Sequence, residues 1–205
     1  HRAFAVEINI PPQTTLSFYI RSQSHGTLHL PITLRRPQQF IAHLQQEYIL
    51  WGGYFGLMVA MVIYNLFVFA SVRDRVYLYY VLYIASISFL QFTAHGFGYM
   101  YLWPESSYWQ NHSSLALNII TVMFASLFIR HFLDTRKNLI WFDRIVSIIL
   151  ILGVPSALLA FTELHHYVGF SITIFNLLML IPAVLAGLLS WLKGVRTARF
   201  FLLGW

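Results

Sequence analysis

Among the polar side chains within otherwise apolar stretches of this 205-residue chain, Asn65, Gln91, His95, Asn118, Thr121 and Asn176 stand out. Placing such groups in hydrocarbon is unfavourable, so they mark either a functional path or hydrogen bonds between helices. A proton relay or ion path calls for a carboxylate or a cation in mid-span, and none is present. Interhelical hydrogen bonding, at about 0.6 kcal/mol per contact, is the favoured role. Asn65, Gln91, His95, Asn118 and Asn176 form the candidate intramembrane network. His95 falls at the end of its apolar stretch, where it can share a cavity with His112 or Tyr99.

Metal and covalent chemistry find little support. His165 and His166 are adjacent on a short loop and cannot both point comfortably at one ion, so solvated histidines are the expectation and no metal is assigned. The absence of cysteine removes thiolate zinc sites, disulfides and thiol nucleophiles. No nucleophile elbow, phosphate loop or paired acids occur, so neither catalysis nor a cofactor is expected of this segment.

The elements that must carry these residues are five apolar spans: Tyr48 to Val72, Val76 to His95, Ser113 to Phe132, Ile145 to Thr162 and Tyr167 to Leu192. Each is near the roughly 20 residues that a helix needs to cross hydrocarbon. A sixth run opens at Phe200, and the sequence reads as stopping while that span begins. Backbone amides in lipid must be satisfied within their own segment, which leaves helices as the form of such spans. A mean hydropathy of +0.65 with 58% hydrophobic and 10% charged residues is too apolar for a soluble domain of this length.

Basic residues alternate between connections. Arg73 and Arg75 follow span one, Arg130, Arg136, Lys137 and Arg144 flank the end of span three, and Lys193, Arg196 and Arg199 follow span five. The connections after spans two and four, 96–112 and 163–166, contain neither Lys nor Arg. The positive-inside rule places the basic connections in the cytoplasm and the N-terminal segment outside. Trp51, Trp103, Trp109 and Tyr167 suit the outer interface, Trp141 and Trp191 the inner. The net charge of +6 is spread over these loops without an aromatic-interleaved patch, which argues against nucleic acid. No leader is visible, and an exported N-terminal part calls for one upstream.

Residues 3–34 change period. Phe4, Val6, Ile8 and Ile10 alternate with small or polar partners, then Leu16, Phe18 and Ile20, then Leu28, Leu30, Ile32 and Leu34, as strands with one buried face do. Pro11-Pro12-Gln13 and Ser24-His25-Gly26 are the turns. Three such strands are marginal alone, so an antiparallel segment from a larger β-sandwich is expected. Residues 1–36 thus read as the C-terminal part of an outer β-sandwich, 37–47 as a connector, helical or not, and 48–205 as a mainly α, polytopic membrane bundle. Asp74 is expected to cap span two within a tight hairpin, Arg73-Asp74-Arg75, which is also a candidate cytoplasmic coupling loop. Small residues at i, i+4 spacing, Gly52, Gly56 and Ala60, Gly153 and Ala157, and Ala183 and Gly187, predict close helix packing. Pro155 and Pro182 remove backbone donors in mid-span and predict kinks.

Tyr64-Asn65-Leu66-Phe67, Arg73-Asp74-Arg75-Val76-Tyr77-Leu78-Tyr79-Tyr80, Gly96-Phe97-Gly98-Tyr99, Tyr101-Leu102-Trp103-Pro104, Phe132-Leu133-Asp134, and Gly194 with Ala198-Arg199-Phe200-Phe201 follow one another along residues 45–205. In this order and spacing they resemble the bacterial seven-transmembrane receptors with diverse intracellular signalling modules. The resemblance implies a multi-pass inner-membrane receptor with a periplasmic, jelly-roll-like sensory domain that binds a small ligand, a carbohydrate among the options. It further implies a cytoplasmic output module in the same polypeptide, such as a diguanylate cyclase or histidine kinase of cyclic-di-GMP or two-component signalling, and a homodimer as one arrangement. A secondary transporter or channel is the rival, since polar span residues and prolines also suit broken helices along a permeation path.

Overall fold

The computed structural model describes residues 6, 8, 11, 13, 14, 16–20, 32–162, 165–194 and 197–204, with Ser107, Asn111, His165, His166, Thr197 and Gly204 described by backbone alone. The chain divides into two compact units, residues 3–53 and 54–205.

In the first unit, no described residue before the first helix is in a strand. Val6, Leu16, Phe18, Ile20, Ile32 and Leu34 are all exposed, so the expected β segment is not present there. Alternation supplies a face, yet a strand also needs a neighbour to accept its backbone hydrogen bonds and a layer to cover its apolar side. Phe4, Ile10, Leu28, Leu30 and the Ser24-His25-Gly26 turn lie outside the described residues. The connector is helical: α1 spans Pro37–Val72 without a break. Proline suits the first helical position because its missing N–H would be unpaired there anyway.

The second unit is a bundle whose turns are set by local chemistry. Arg73 leaves α1 with φ 59°, and the Asp74 carboxylate accepts from Val76 N at 2.9 Å to cap α2, Arg75–Ala94. Gly96, at φ 80°, turns the chain into the short helix α3, Phe97–Tyr101. The next span, α4, is Ser107–Phe132, with Ser106 as its N-cap. Asp134, also left-handed, leads into α5, Thr135–Asn138, and then α6, Ile140–Leu159. Next come α7, His165–Leu192, and α8, Thr197–Gly204. Five of these helices, those carrying the expected spans, are long and apolar enough to cross a membrane. Three helices begin before the expected spans, at Pro37, Ser107 and Ile140 rather than Tyr48, Ser113 and Ile145, because polar or amphipathic turns extend them.

α4 is the centre. It packs against α2, α6 and α7, and 56% of its most apolar window is buried, against 22% for α2 and for α6. Its Ile119 and Ile129 join Phe142, Val146 and Ile149 of α6 in the core, each no more than 2% exposed. In α1, by contrast, Asn65 is the buried residue.

The small-residue positions divide. A Cβ on Gly153 would lie 2.7 Å from Met123 Sδ, and one on Gly187 would lie 2.8 Å from the Phe201 ring, so both glycines admit a neighbouring helix. Ala183 is fully buried. Gly52 and Gly56 have nothing within 4 Å of that position, so packing through the span-one stripe is not found among the described residues. Pro155 and Pro182 lie within continuous helices.

Substituting Gly187→Val is expected to destabilise the bundle by about 1–3 kcal/mol, because the rigid Phe201 ring cannot yield as a flexible chain would. Gly56→Ala is expected to add up to about 1 kcal/mol of helix stability, since open space receives the methyl group. Thermal midpoints of the purified protein in detergent distinguish the two.

Candidate functional site

The bundle carries three polar layers, and each has a different source of satisfaction. At the end without basic residues, the loop between α3 and α4 is tied down by side chains. Trp103 Nε1 donates to Gln110 Oε1 at 3.1 Å, and Gln110 Nε2 donates to the Thr93 carbonyl at 2.7 Å. One glutamine thereby joins the end of α2, the loop and the start of α4. Gly98 allows this closure, because a Cβ there would lie 2.8 Å from the Trp103 ring. The Tyr108 hydroxyl donates to the Phe161 carbonyl and fastens α4 to the turn after α6. His112, buried, stacks on Tyr108 with ring centroids 4.0 Å apart, and its Nδ1 lies 2.7 Å from the Tyr108 carbonyl. His95 forms the C-cap of α2, its backbone N–H donating to the Gln91 carbonyl. Tyr99 is half-buried on α3.

In mid-bundle, most polar side chains turn to their own helix. Asn65 Nδ2 donates to the Met61 carbonyl at 2.8 Å, and Thr121 Oγ1 to the Leu117 carbonyl at 2.7 Å. Ser86, Ser114 and Ser171 behave alike. A carbonyl three or four residues earlier is always within reach in a helix, so these groups need no partner helix. Asn118 and Asn176 differ. Asn176 Nδ2 donates to Asn118 Oδ1 at 3.0 Å, and also to the Ile172 carbonyl at 2.9 Å, linking α4 with α7. Of the candidate network, this pair is joined across helices, Asn65 is held within α1, and Gln91 is half-buried on α2.

The basic end holds a feature that counting charges overlooks. Arg130 and Asp143 form a two-point ion pair between α4 and α6, with Nη2 donating to Oδ2 at 3.0 Å and Nε 2.6 Å from Oδ1, off the hydrogen-bond axis. Their side chains are only 12% and 22% exposed. Arg136 approaches the same carboxylate at 3.9 Å. Nearby, Lys193 Nζ donates to the Asn138 carbonyl at 2.8 Å, tying the end of α7 to α5. The Tyr79 and His131 rings lie 4.5 Å apart, joining α2 to α4. The signal in the sequence was an acid, Asp143, set beside Arg144 and after Arg130, Arg136 and Lys137, where the other acid of the stretch, Asp134, pairs with Lys137 at 3.0 Å. In the α1–α2 hairpin, Arg73 and Arg75 flank the capping Asp74 at the surface. No group of three metal-ligating side chains occurs among the described residues.

Polar ties at both ends of the bundle are the setting in which the family comparison falls. The family described as 7TM diverse intracellular signalling matches residues 47–205. The chain belongs to that family. No curated protein and no solved structure matches it. In this 7TM signalling region the polar layers are contacts that join one helix to another across the bundle.

Removing the α4–α6 pair tests its strength. Arg130→Ala and Asp143→Ala are each expected to cost about 1.5–3 kcal/mol, as for a hydrogen bond to a charged group, and the double variant to cost little more than either. The Asn118→Ala, Asn176→Ala cycle is expected to give a coupling near 0.6 kcal/mol. Thermal or denaturant unfolding in detergent measures both cycles.

Proposed function

We propose that this chain is the transmembrane part of a bacterial inner-membrane receptor. It couples a small ligand bound by a periplasmic domain to a cytoplasmic output module in the same polypeptide. The observation that supports this best is the family match over residues 47–205, combined with the confinement of Lys and Arg to alternate connections. On that orientation the Gln110 and Tyr108 ties lie at the periplasmic end. The Arg130–Asp143 pair and the Arg73-Asp74-Arg75 hairpin lie at the cytoplasmic end, next to the output module. A ligand shifts such a bundle only by binding one arrangement better than the other. α4 carries a tie at each end and is the element that connects them. A carbohydrate is one ligand class for a periplasmic sensory domain, and a homodimer would suit a cyclase or kinase output.

Orientation is tested with single cysteines, since the chain has none of its own. In intact cells expressing the full-length protein, a membrane-impermeant maleimide is expected to label Glu105→Cys and to spare Asp74→Cys. The opposite pattern rejects the topology and the receptor with it. Coupling is tested by Asp143→Asn, which is expected to change basal output of the full-length receptor by about 5-fold or more, the lower end of ordinary coupling energies. Unchanged output from a correctly inserted variant removes the ion pair from the signalling path.

A further inference from the structure

A cavity of about 480 Å³ lies between the middle of α1 and the helices α2, α4 and α8. One wall is a row of rings that crosses three helices. Tyr80 lies 5.2 Å from Phe128, Phe128 5.2 Å from Phe132, and Phe132 6.3 Å from Phe201, measured between ring centroids. The facing wall comes from α1, where Tyr54, Met58 and Met61 recur at helical spacing on one side. Leu57 of α1 and Phe200 of α8, which also line it, are 60% and 71% exposed, so the cavity can be entered from the apolar side of the bundle.

Its chemistry is narrow. Seven of the twelve lining residues are aromatic and none is charged. The hydrogen-bonding groups among them are three phenols, those of Tyr54, Tyr80 and Tyr83. Tyr83 interacts electrostatically with both of the others, which brings hydroxyls from α1 and α2 to one place. The Tyr80 hydroxyl has no hydrogen-bond partner among the described residues.

These features select an occupant. The volume falls within the roughly 300–1,000 Å³ of small-molecule sites. A saturated acyl chain fills space but gives the phenols no acceptor, and a hydroxyl removed from water gains only when it finds a partner. A fatty-acid carboxylate brings an acceptor with a charge, and no Lys, Arg or His lines the cavity to balance it. A neutral carbonyl accepts from the phenols without that cost. The row of rings favours a flat ring in the ligand, held by offset stacking or edge contacts.

We propose that this cavity binds a neutral, lipid-soluble molecule with a planar ring that carries carbonyl groups, the chemistry of a membrane quinone. The ring lies against Tyr80, Phe128 and Phe132, the phenols of Tyr80 and Tyr83 donate to a carbonyl, and the apolar tail leaves past Leu57 and Phe200. Such a molecule enters from the bilayer, and its binding is independent of any ligand held outside the membrane. It touches α1, α2, α4 and α8 together, so an arrangement of these helices that closes the cavity competes with it.

The test uses the full-length protein in nanodiscs of phosphatidylethanolamine and phosphatidylglycerol. A photoreactive azido analogue of decylubiquinone is the probe, and labelled peptides are read by mass spectrometry. Label is expected on the segments 54–61 and 80–87, to be removed by excess decylubiquinone and retained in excess palmitate or hexadecane. Tyr80→Phe, which keeps the ring and removes the hydroxyl, is expected to weaken the competition by decylubiquinone about 2- to 12-fold, the weight of one hydrogen bond. Absence of displaceable label on these segments in the inserted protein means that protein fills the cavity, and overturns the proposal. Displacement by palmitate or hexadecane as readily as by decylubiquinone means that acyl chains occupy it, and overturns the proposal equally. Competition unchanged by Tyr80→Phe removes the phenols from recognition and does the same. Should Tyr80→Phe fail to insert, Tyr83→Phe is read in its place by the same criteria.

Discussion

In hydrocarbon a backbone amide that loses its partner has no water to turn to, and the whole architecture follows from that constraint. It forces each apolar stretch into an unbroken helix, it confines irregular backbone to the span ends, and it makes the cap and turn residues decisive. Asp74 at α2, Ser106 at α4 and the left-handed residues Arg73, Gly96, Asp134 and Gly194 all stand where a helix starts or stops. The same constraint explains the behaviour of the hydroxyls. Ser86, Thr121 and Ser171 satisfy themselves on their own helices, so they add little to the specificity of packing.

What holds the helices in register is therefore concentrated in a few contacts. Gln110 joins three segments at one end, the Arg130–Asp143 pair joins two helices at the other, and Asn118 with Asn176 crosses between. Between these ties the packing is apolar and the close approaches are made by Gly153 and Gly187. Apolar surfaces in lipid slide more easily than in water, because no hydrophobic gain opposes separation. Polar ties at the ends thus limit the motions open to the bundle.

Much of the bundle was legible in the sequence because apolar length and charge placement are local properties. The five spans, the Asp74 cap and the tight hairpin could be read directly. Contacts between segments far apart in sequence could not. Asp143 looks like one more loop charge until α4 and α6 are seen side by side, and Gln110 looks like a polar flank until Trp103 and Thr93 surround it. Alternation before residue 35 was legible as a pattern, yet no strand appears among the described residues there, because a strand is defined by its neighbour as much as by its own sequence. The small-residue stripes carried the same ambiguity: two found neighbours, and the one on α1 lies against open space.

The central placement of α4 makes freedom to change unequal around the bundle. A side chain on its α2 side and one on its α6 side answer to different neighbours, yet both ride on one rod, so enlarging either displaces the other. An enlarged side chain on α4 is therefore felt by three helices at once, whereas exposed side chains such as Ile151 of α6 and Phe170 of α7 can change with far less crowding.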